Sequence, residues 1–99
     1  MPLAFQVRLA GRAQLDIEAI RAFIALDSPL DAQRFIAGLI DAIDSLEHFP
    51  LRHPAAHGAM AARKIRSMGF SNYRVLYRVH GNDVLVLRIR HGARMEPRE

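Results

Sequence analysis

Residues 73–94 read YRVLYRVHGNDVLVLRIRHGAR, two runs rich in Val, Leu, Ile and Tyr on either side of a short polar break. The break contains Gly81 and Asn82, residue types that tolerate the positive φ angles of tight hairpin turns. The pattern therefore predicts a β-hairpin in which His80 faces Asp83. Continuing the register away from the turn gives three further cross-strand pairs: Val79 with Val84, Tyr77 with Val86 and Val75 with Arg88.

The predicted register divides the hairpin side chains into two sets, because successive side chains of a strand point to opposite faces. One face carries Tyr73, Val75, Tyr77, Val79, Val84 and Val86. The other face carries Arg74, Leu76, Arg78, Leu85, Leu87 and Ile89. Both sets contain large apolar residues, which predicts a central hairpin covered at least in part on both sides. The arginines of the second set are the first indication of function.

Two amphipathic helices are predicted ahead of this hairpin, after a first strand at residues 4–9. The first helix spans residues 10–26 and has apolar residues at helical spacing. The second begins at Ser28 and Pro29, a good N-cap followed by a residue that fits the first helical position. It should end near His48 or Phe49, because Pro50 disfavours helix in the residue before it. Helices joined by so short a link form an αα-hairpin, and their apolar stripes need a sheet to lie on.

The remaining segments complete the predicted order β-α-α-β-β-β. Residues 50–59 form a loop, residues 60–67 a weaker strand, and residues 68–72 a turn into the hairpin. The predicted fold class is α+β, with an antiparallel sheet covered on one face by the αα-hairpin. With 99 residues, 51% of them hydrophobic, the chain suffices for a single domain over residues 1–99. The absence of cysteine and of long apolar runs predicts a cytoplasmic protein without a membrane segment.

Positive charge is concentrated in the second half of the chain. Residues 1–50 hold four arginines and seven acidic residues, a net charge of −3. Residues 51–99 hold ten Lys and Arg and three acidic residues, a net charge of +7. A basic sheet surface favours an acidic partner, either nucleic acid or an acidic protein segment. The alternative is a solvated basic face without a ligand.

The basic residues form a more specific set than the histidines. His48, His53 and His57 lie in a proline-broken segment without a complete ligand set, so we expect no metal site and no cofactor. Basic residues fall on three consecutive predicted strands: Arg63, Lys64, Arg66, Arg74, Arg78, Arg88, Arg90 and Arg94. Neighbouring strands lie about 5 Å apart, so these groups could converge on phosphate or carboxylate oxygens. Alternatively, they point to opposite faces and form no patch.

Several short motifs occur in a fixed order along the chain. They are Ala13-x-x-Asp16-Ile17 in the first helix, Phe49-Pro50 after the second, residues 73–79 (YRVLYRV) and residues 89–94 (IRHGAR). Together with the element order, they resemble the RelE/ParE toxin superfamily over nearly the whole chain, and its ParE (plasmid stabilisation) branch most. The resemblance implies the toxin of a type II toxin–antitoxin system, with a cognate antitoxin as its partner.

The two branches of this superfamily imply different targets. A ParE toxin poisons DNA gyrase and stalls it with cleaved DNA, whereas a RelE toxin cleaves mRNA in the ribosomal A site. We expect a gyrase inhibitor that is not an enzyme. A ribosome-dependent mRNA endoribonuclease is the alternative, and a non-toxic structural or adaptor module is a third class.

Only some residues of a RelE-type ribonuclease site can be matched to this sequence. The resemblance would assign Arg74 and Arg94 to it and, more loosely, Arg63, Lys64 and Arg66. His91 joins these candidate catalytic residues as a possible proton-transfer group. No Tyr follows Arg94, although RNA cleavage needs a group that both takes and gives a proton. Tyr73, Tyr77 and His91 are the remaining candidates for that group, and this departure favours the ParE branch.

The hairpin face away from the helices is the predicted binding surface for the antitoxin. Its residues are Arg74, Leu76, Arg78, Leu85, Leu87 and Ile89. So apolar a surface is not expected to stay exposed without a role. We expect an amphipathic helix or strand with acidic residues to bind there.

Overall fold

The computed structural model describes residues 4–56 and 58–92. Its main elements are β1 (Gln6–Leu9), α1 (Gly11–Ala25), α2 (Pro29–Asp44), a helical turn α3 (Ala59–Ala62), β2 (Arg66–Phe70), β3 (Tyr73–His80) and β4 (Asp83–His91). Two 3-10 turns, Ser45–Glu47 and Pro50–Arg52, follow α2. The predicted α+β class and the order of the predicted elements are confirmed, with α3 as an addition. Residues 93–99, which include Arg94, lie outside the described residues.

The four strands form one sheet in the order β1-β4-β3-β2. The β2–β3 and β3–β4 pairs are antiparallel, as predicted, but β1 runs parallel to β4. The αα-hairpin carries the chain from β1 at one edge of the sheet to β2 at the other. Both helices therefore pack on the same face of the sheet.

Local sequence sets the limits of α2. The Ser28 hydroxyl accepts a hydrogen bond from the backbone N–H of Asp31 at 3.1 Å, and Pro29 occupies the first turn. The α-helix ends at Asp44, a few residues before the predicted end, and a 3-10 turn continues it. Phe49 then takes a φ of 50°, which turns the chain into the following loop. None of the helices in the described ranges is long and apolar enough to cross a membrane.

The core lies between the two helices and one face of the sheet. Its buried residues on the central strands include Val75, Tyr77, Val84 and Val86, all fully buried. They meet apolar residues of both helices: Ala13, Ile17, Ile20, Ile36, Leu39 and Ile43. The predicted face of the hairpin toward the helices is thus confirmed for these residues. Truncation of one such core side chain to Ala typically costs about 2–5 kcal/mol.

A β-bulge in β4 changes the predicted register of the hairpin. The pairs nearest the turn are as predicted, up to Tyr77 opposite Val86. Leu87 is then an extra residue, so that Val75 faces Ile89 and the predicted pairing of Val75 with Arg88 is wrong. One extra residue moves all later side chains to the other face. Ile89, predicted to lie away from the helices, is therefore in the core and only 3% exposed.

The second strand also differs from its prediction. The segment predicted as a strand, residues 60–67, instead begins in the helical turn α3, and β2 runs from Arg66 to Phe70. The Ile65 N–H donates to the Met60 carbonyl at 3.0 Å, which keeps this part of the chain out of the sheet. The predicted turn at residues 68–72 is shorter, because Met68 is buried in the core as a strand residue.

Candidate functional site

We call the sheet face opposite α1 and α2 the outer face. Part of it is covered by residues 54–56 and 58–65, and Ala55 forms a bridge to Arg66 of β2. Ala56 and Ile65 bury Leu76, which is only 2% exposed, in a small second apolar cluster. The prediction that Leu76 lies on an uncovered surface is therefore wrong, and this residue is not accessible to a partner.

The accessible part of the outer face contains a groove at the turn end of the β3–β4 hairpin. The groove has a volume of about 430 Å³, and its lining residues are Arg63, Lys64, Arg78, Val79, His80, Asp83 and Leu85. In the described part of the chain, none of its three cations pairs with a carboxylate. The groove therefore combines apolar surface with three cations and the Asp83 carboxylate.

Strand β1 places a fourth cation next to the groove. Arg8 is level with Leu85 in the parallel β1–β4 pair, and Arg78 is level with Leu85 from the other side. Leu85 is thus flanked by an arginine on each neighbouring strand, each about 5 Å away between strand axes. Arg8 also lies 4.0 Å from the Asp83 carboxylate. The sequence analysis missed Arg8 because the parallel pairing of β1 was not predicted.

Lys64 reaches the groove through an unusual backbone conformation. Its φ is 61°, in the left-handed region that costs a non-glycine residue roughly 1–2 kcal/mol. The Lys64 N–H donates to the Ala61 carbonyl at 2.9 Å, which closes the α3 turn before the chain enters β2. Arg63 and Lys64 therefore belong to a turn beside the groove and not to a strand.

Arg66 is used to hold the loop that precedes β2. Its Nη1 donates to the carbonyl of His53 at 2.7 Å and to that of Leu51 at 3.3 Å. These bonds attach residues 51–53 to the sheet. Arg66 therefore stabilises the fold and does not join the groove cations.

Arg74 lies at the other end of the outer face. Its Nε donates to the Ser67 hydroxyl at 2.9 Å, and its guanidinium lies over Gly69, where an added Cβ would be 2.7 Å from Nη1. Arg90 faces Arg74 across the β3–β4 pair. Arg74 and Arg78 are four residues apart on one strand, or about 13 Å. The basic residues of the three strands therefore do not all converge on one patch.

The two remaining basic residues of the predicted set do not extend the groove. Arg88 pairs with Asp16 of α1, with 2.9 Å between Nε and Oδ2. Arg94 lies outside the described residues. The basic residues that the structure brings together on the outer face are thus those of the groove and the separate pair of Arg74 and Arg90.

The tyrosines and His91 proposed as proton-transfer groups are engaged in packing. Tyr77 is fully buried on the helix side, its hydroxyl donates to the Pro50 carbonyl, and burial raises the pKa of this hydroxyl. The Tyr73 ring packs edge-on against His91, with 5.3 Å between ring centroids. Tyr77 therefore cannot reach a substrate on the outer face.

His53 has an environment that the sequence did not reveal. Its Nε2 is buried and has no hydrogen-bond partner among the described residues, and its ring lies edge-on to Tyr77. Burial, followed by the positive charges of Arg52 and Arg74, lowers the pKa of His53. Within residues 4–56 and 58–92, no three His, Cys, Asp or Glu side chains gather as metal ligands. His57 lies outside the described residues.

The fold, an αα-hairpin on a four-stranded sheet, agrees with the RelE/ParE toxin superfamily that the sequence motifs resemble. The family model described as "ParE toxin of type II toxin-antitoxin system, parDE" matches residues 7–96. This chain belongs to that ParE toxin family.

One protein of known name and two solved structures are similar to this chain. Toxin RelE2 from Caulobacter vibrioides is 38% identical over 91 residues, which cover 91% of this chain and 98% of the relative. The chromosomal ParDE toxin–antitoxin system from P. aeruginosa has a similar fold, with a TM-score of 0.76 and 16% identity, over 89% of this chain and 96% of that chain. The RelBE2 toxin–antitoxin complex from Mycobacterium tuberculosis matches with a TM-score of 0.69 and 24% identity, over 90% of this chain and 99% of that chain.

Proposed function

We propose that this toxin inhibits DNA gyrase by binding to it, without catalysing a reaction of its own. The separation of its basic residues is the observation that supports a binding role. Cleavage of RNA needs cations that converge on one phosphate together with a proton-transfer group. Here about 13 Å of strand separates Arg74 from the groove cation Arg78, and Arg66 is bonded to the loop.

A ribosome-dependent ribonuclease is the second candidate, and two observations favour it. The curated relative with 38% identity is named RelE2. In addition, Arg74 faces Arg90, which gives two cations at one end of the outer face. The neighbouring His91 lies on the helix side of the sheet, where its ring packs against Tyr73. If the chain cleaves RNA, we expect this end of the sheet to carry the reaction.

We further propose that the groove binds an acidic segment of the cognate antitoxin. The Arg63, Lys64 and Arg78 side chains offer positive charge, and Leu85 offers apolar surface between two arginine-bearing strands. An extended or helical segment with carboxylates beside an apolar residue would match both features. This proposal keeps Arg78 and Leu85 from the predicted antitoxin surface. It leaves out Leu76 and Ile89, because both are buried.

Controlled expression in a sensitive bacterial host separates these functions. Gyrase inhibition should give DNA breaks, an SOS response and filamentation while translation continues. Ribonuclease activity should instead stop translation first and leave mRNA cut at codon boundaries. An absence of any growth defect would favour the structural or adaptor class. For either toxic activity the proposed site of action is the cytoplasm, and co-expression of the antitoxin should restore growth.

A further inference from the structure

Strand β2 fixes the position of the Arg74 side chain on the outer face. The Arg74 Nε donates to the Ser67 hydroxyl at 2.9 Å, and Nη2 donates to the Ser67 carbonyl at 3.4 Å. The guanidinium lies over Gly69, which is opposite Arg74 in the β2–β3 pair. A side chain at this position would occupy the same space, because its Cβ would be 2.7 Å from Nη1. Ser67 and Gly69 therefore restrict a long side chain that would otherwise sample many rotamers.

Arg90 places a second positive charge directly beside Arg74. The two residues are opposite each other in the antiparallel β3–β4 pair, where like charges repel. Among residues 4–56 and 58–92, no carboxylate forms an ion pair with either guanidinium. An anion bound between them would remove the repulsion. Because Arg74 is already held in place, it would lose little conformational entropy when it binds this anion.

An apolar strip on β4, formed by Leu85 and Leu87, connects this arginine pair with the groove. Leu85 lines the groove, and Leu87 packs against the small second cluster on the same face. Both leucines are only partly buried. Four residues of β3, or about 13 Å, separate Arg74 from the groove cation Arg78. The outer face therefore presents two cationic sites with an apolar strip between them.

We propose that Arg74 and Arg90 form a second carboxylate-binding site for the cognate antitoxin, and that Ser67 and Gly69 preorganise it. The antitoxin segment that occupies the groove then continues along the apolar strip and places a second acidic side chain between the two arginines. An extended segment reaches both sites with carboxylates four residues apart. The site rests on the proposed function in taking the antitoxin as its partner. It adds a spacing for the acidic residues of that partner and two positioning residues for Arg74.

The apolar strip favours a protein segment over an RNA strand. An RNA backbone carries a charged phosphate at every nucleotide, and a phosphate between the two cationic sites would lie on Leu85 or Leu87. Contact of a charged group with apolar surface, without a partner for the charge, is unfavourable. A protein segment can place apolar side chains between its carboxylates and so match each part of the surface.

Isothermal titration calorimetry of the full-length chain with the full-length cognate antitoxin tests the site. Arg90→Ala should weaken binding by about tenfold. Arg34→Ala, which removes an exposed arginine of α2, should leave the affinity unchanged. If Arg90→Ala binds the antitoxin normally, the proposal is wrong, and loss of binding to a single-stranded RNA oligonucleotide in the same variant would assign the arginine pair to RNA.

Gly69→Ala tests whether Arg74 must be held in this position. The added Cβ would meet only the flexible end of the Arg74 side chain, so the guanidinium should move while the free energy of unfolding changes little. We expect Gly69→Ala and Ser67→Ala each to weaken antitoxin binding by roughly threefold to tenfold. Neither change should affect binding in an Arg74→Ala background. Equal effects with and without Arg74 would overturn the positioning role.

Substitutions in the antitoxin distinguish this site from the groove. Each of its acidic residues is replaced in turn by the matching amide. One carboxylate should lose its effect on affinity in Arg90→Ala, and a different one should lose its effect in Arg78→Ala. If only Arg78 is coupled to a carboxylate, the groove is correct and the second site is wrong. If only Arg90 is coupled to one, the second site is correct and the groove is wrong. Neither result depends on whether the toxin inhibits gyrase.

Discussion

Asp16 of α1 and Arg88 of β4 form an ion pair through two hydrogen bonds, at 2.9 Å from Nε to Oδ2 and 3.2 Å from Nη2 to Oδ1. The same Oδ2 accepts the backbone N–H of Ile89 at 2.8 Å. The bond to Asp16 also raises the pKa of the Arg88 guanidinium. One carboxylate thus joins the helix layer to the bulged strand, at the point where the bulge directs Ile89 into the core.

Replacing Asp16 should therefore destabilise the fold. In Asp16→Ala, the Ile89 N–H and the half-buried Arg88 guanidinium both lose their acceptor. We expect the free energy of unfolding to fall by about 2–3 kcal/mol, as measured by urea denaturation. Asp41→Ala, at an exposed α2 position, should change it by no more than about 0.5 kcal/mol. Equal effects of the two substitutions would show that the Asp16–Arg88 pair does not hold the bulge.

The Tyr77 hydroxyl should ionise at a higher pH than an exposed tyrosine does. Burial raises the pKa of Tyr77, so the folded state favours the protonated hydroxyl. This stabilisation is fully present below the unfolded pKa of about 10 and is lost as the pH rises through the folded value. Ultraviolet absorbance of tyrosinate should show a late transition that is absent from Tyr77→Phe and retained in Tyr73→Phe. A late transition that persists in Tyr77→Phe would contradict the assignment.

His53 should make the protein less stable in mild acid. Its lowered pKa means that the folded state favours the neutral imidazole, whereas the unfolded state takes up a proton near pH 6.5. Stability is therefore complete above about pH 6.5 and falls as the pH drops toward the folded pKa. Thermal unfolding between about pH 7 and pH 5 should show a smaller loss in His53→Gln. The control is His48→Gln, at an exposed position. The prediction is wrong if the loss of thermal stability between these pH values is reduced only in this control.

The groove cations should contribute to antitoxin affinity. We expect Lys64→Ala and Arg78→Ala each to weaken binding of the cognate antitoxin by about tenfold, with a smaller dependence of the affinity on salt. Isothermal titration calorimetry at two salt concentrations measures both effects. Arg34→Ala removes an exposed cation of α2, far from the groove in the fold, and should leave the affinity unchanged. If Arg34→Ala weakens binding as much as Arg78→Ala, the antitoxin does not use the groove specifically.

Most of the fold could be predicted because its elements are marked by short-range patterns in the sequence. Alternation in residues 73–86, the helical spacing around Ile17 and the Ser28 cap identify the hairpin, α1 and the start of α2. These signals are local, because each depends on residues a few positions apart. They sufficed for the element order and for the side of the hairpin that faces the helices.

The features that sequence analysis missed depend on contacts between distant residues. Residues 84–89 are apolar at almost every position, so alternation could not reveal the extra residue Leu87. The Asp16–Arg88 bond that accompanies the bulge joins residues 72 positions apart. Gly69 is a residue type that predicts a turn. In the structure it lies within β2, where the absence of a side chain leaves room for the Arg74 guanidinium. The groove likewise depends on the left-handed backbone at Lys64, which few lysines adopt.

Incubation of the purified chain with DNA gyrase and plasmid DNA tests the central claim most directly. We predict that cleaved DNA held in a gyrase complex accumulates only when both proteins are present. If the toxin acts only by binding, Arg74→Ala should reduce this effect in part, and a higher concentration of the variant should restore it. A parallel translation extract should keep its mRNA intact. The account would be contradicted by unaffected gyrase together with mRNA cut on the ribosome and complete loss of that cleavage in a folded Arg74→Ala variant.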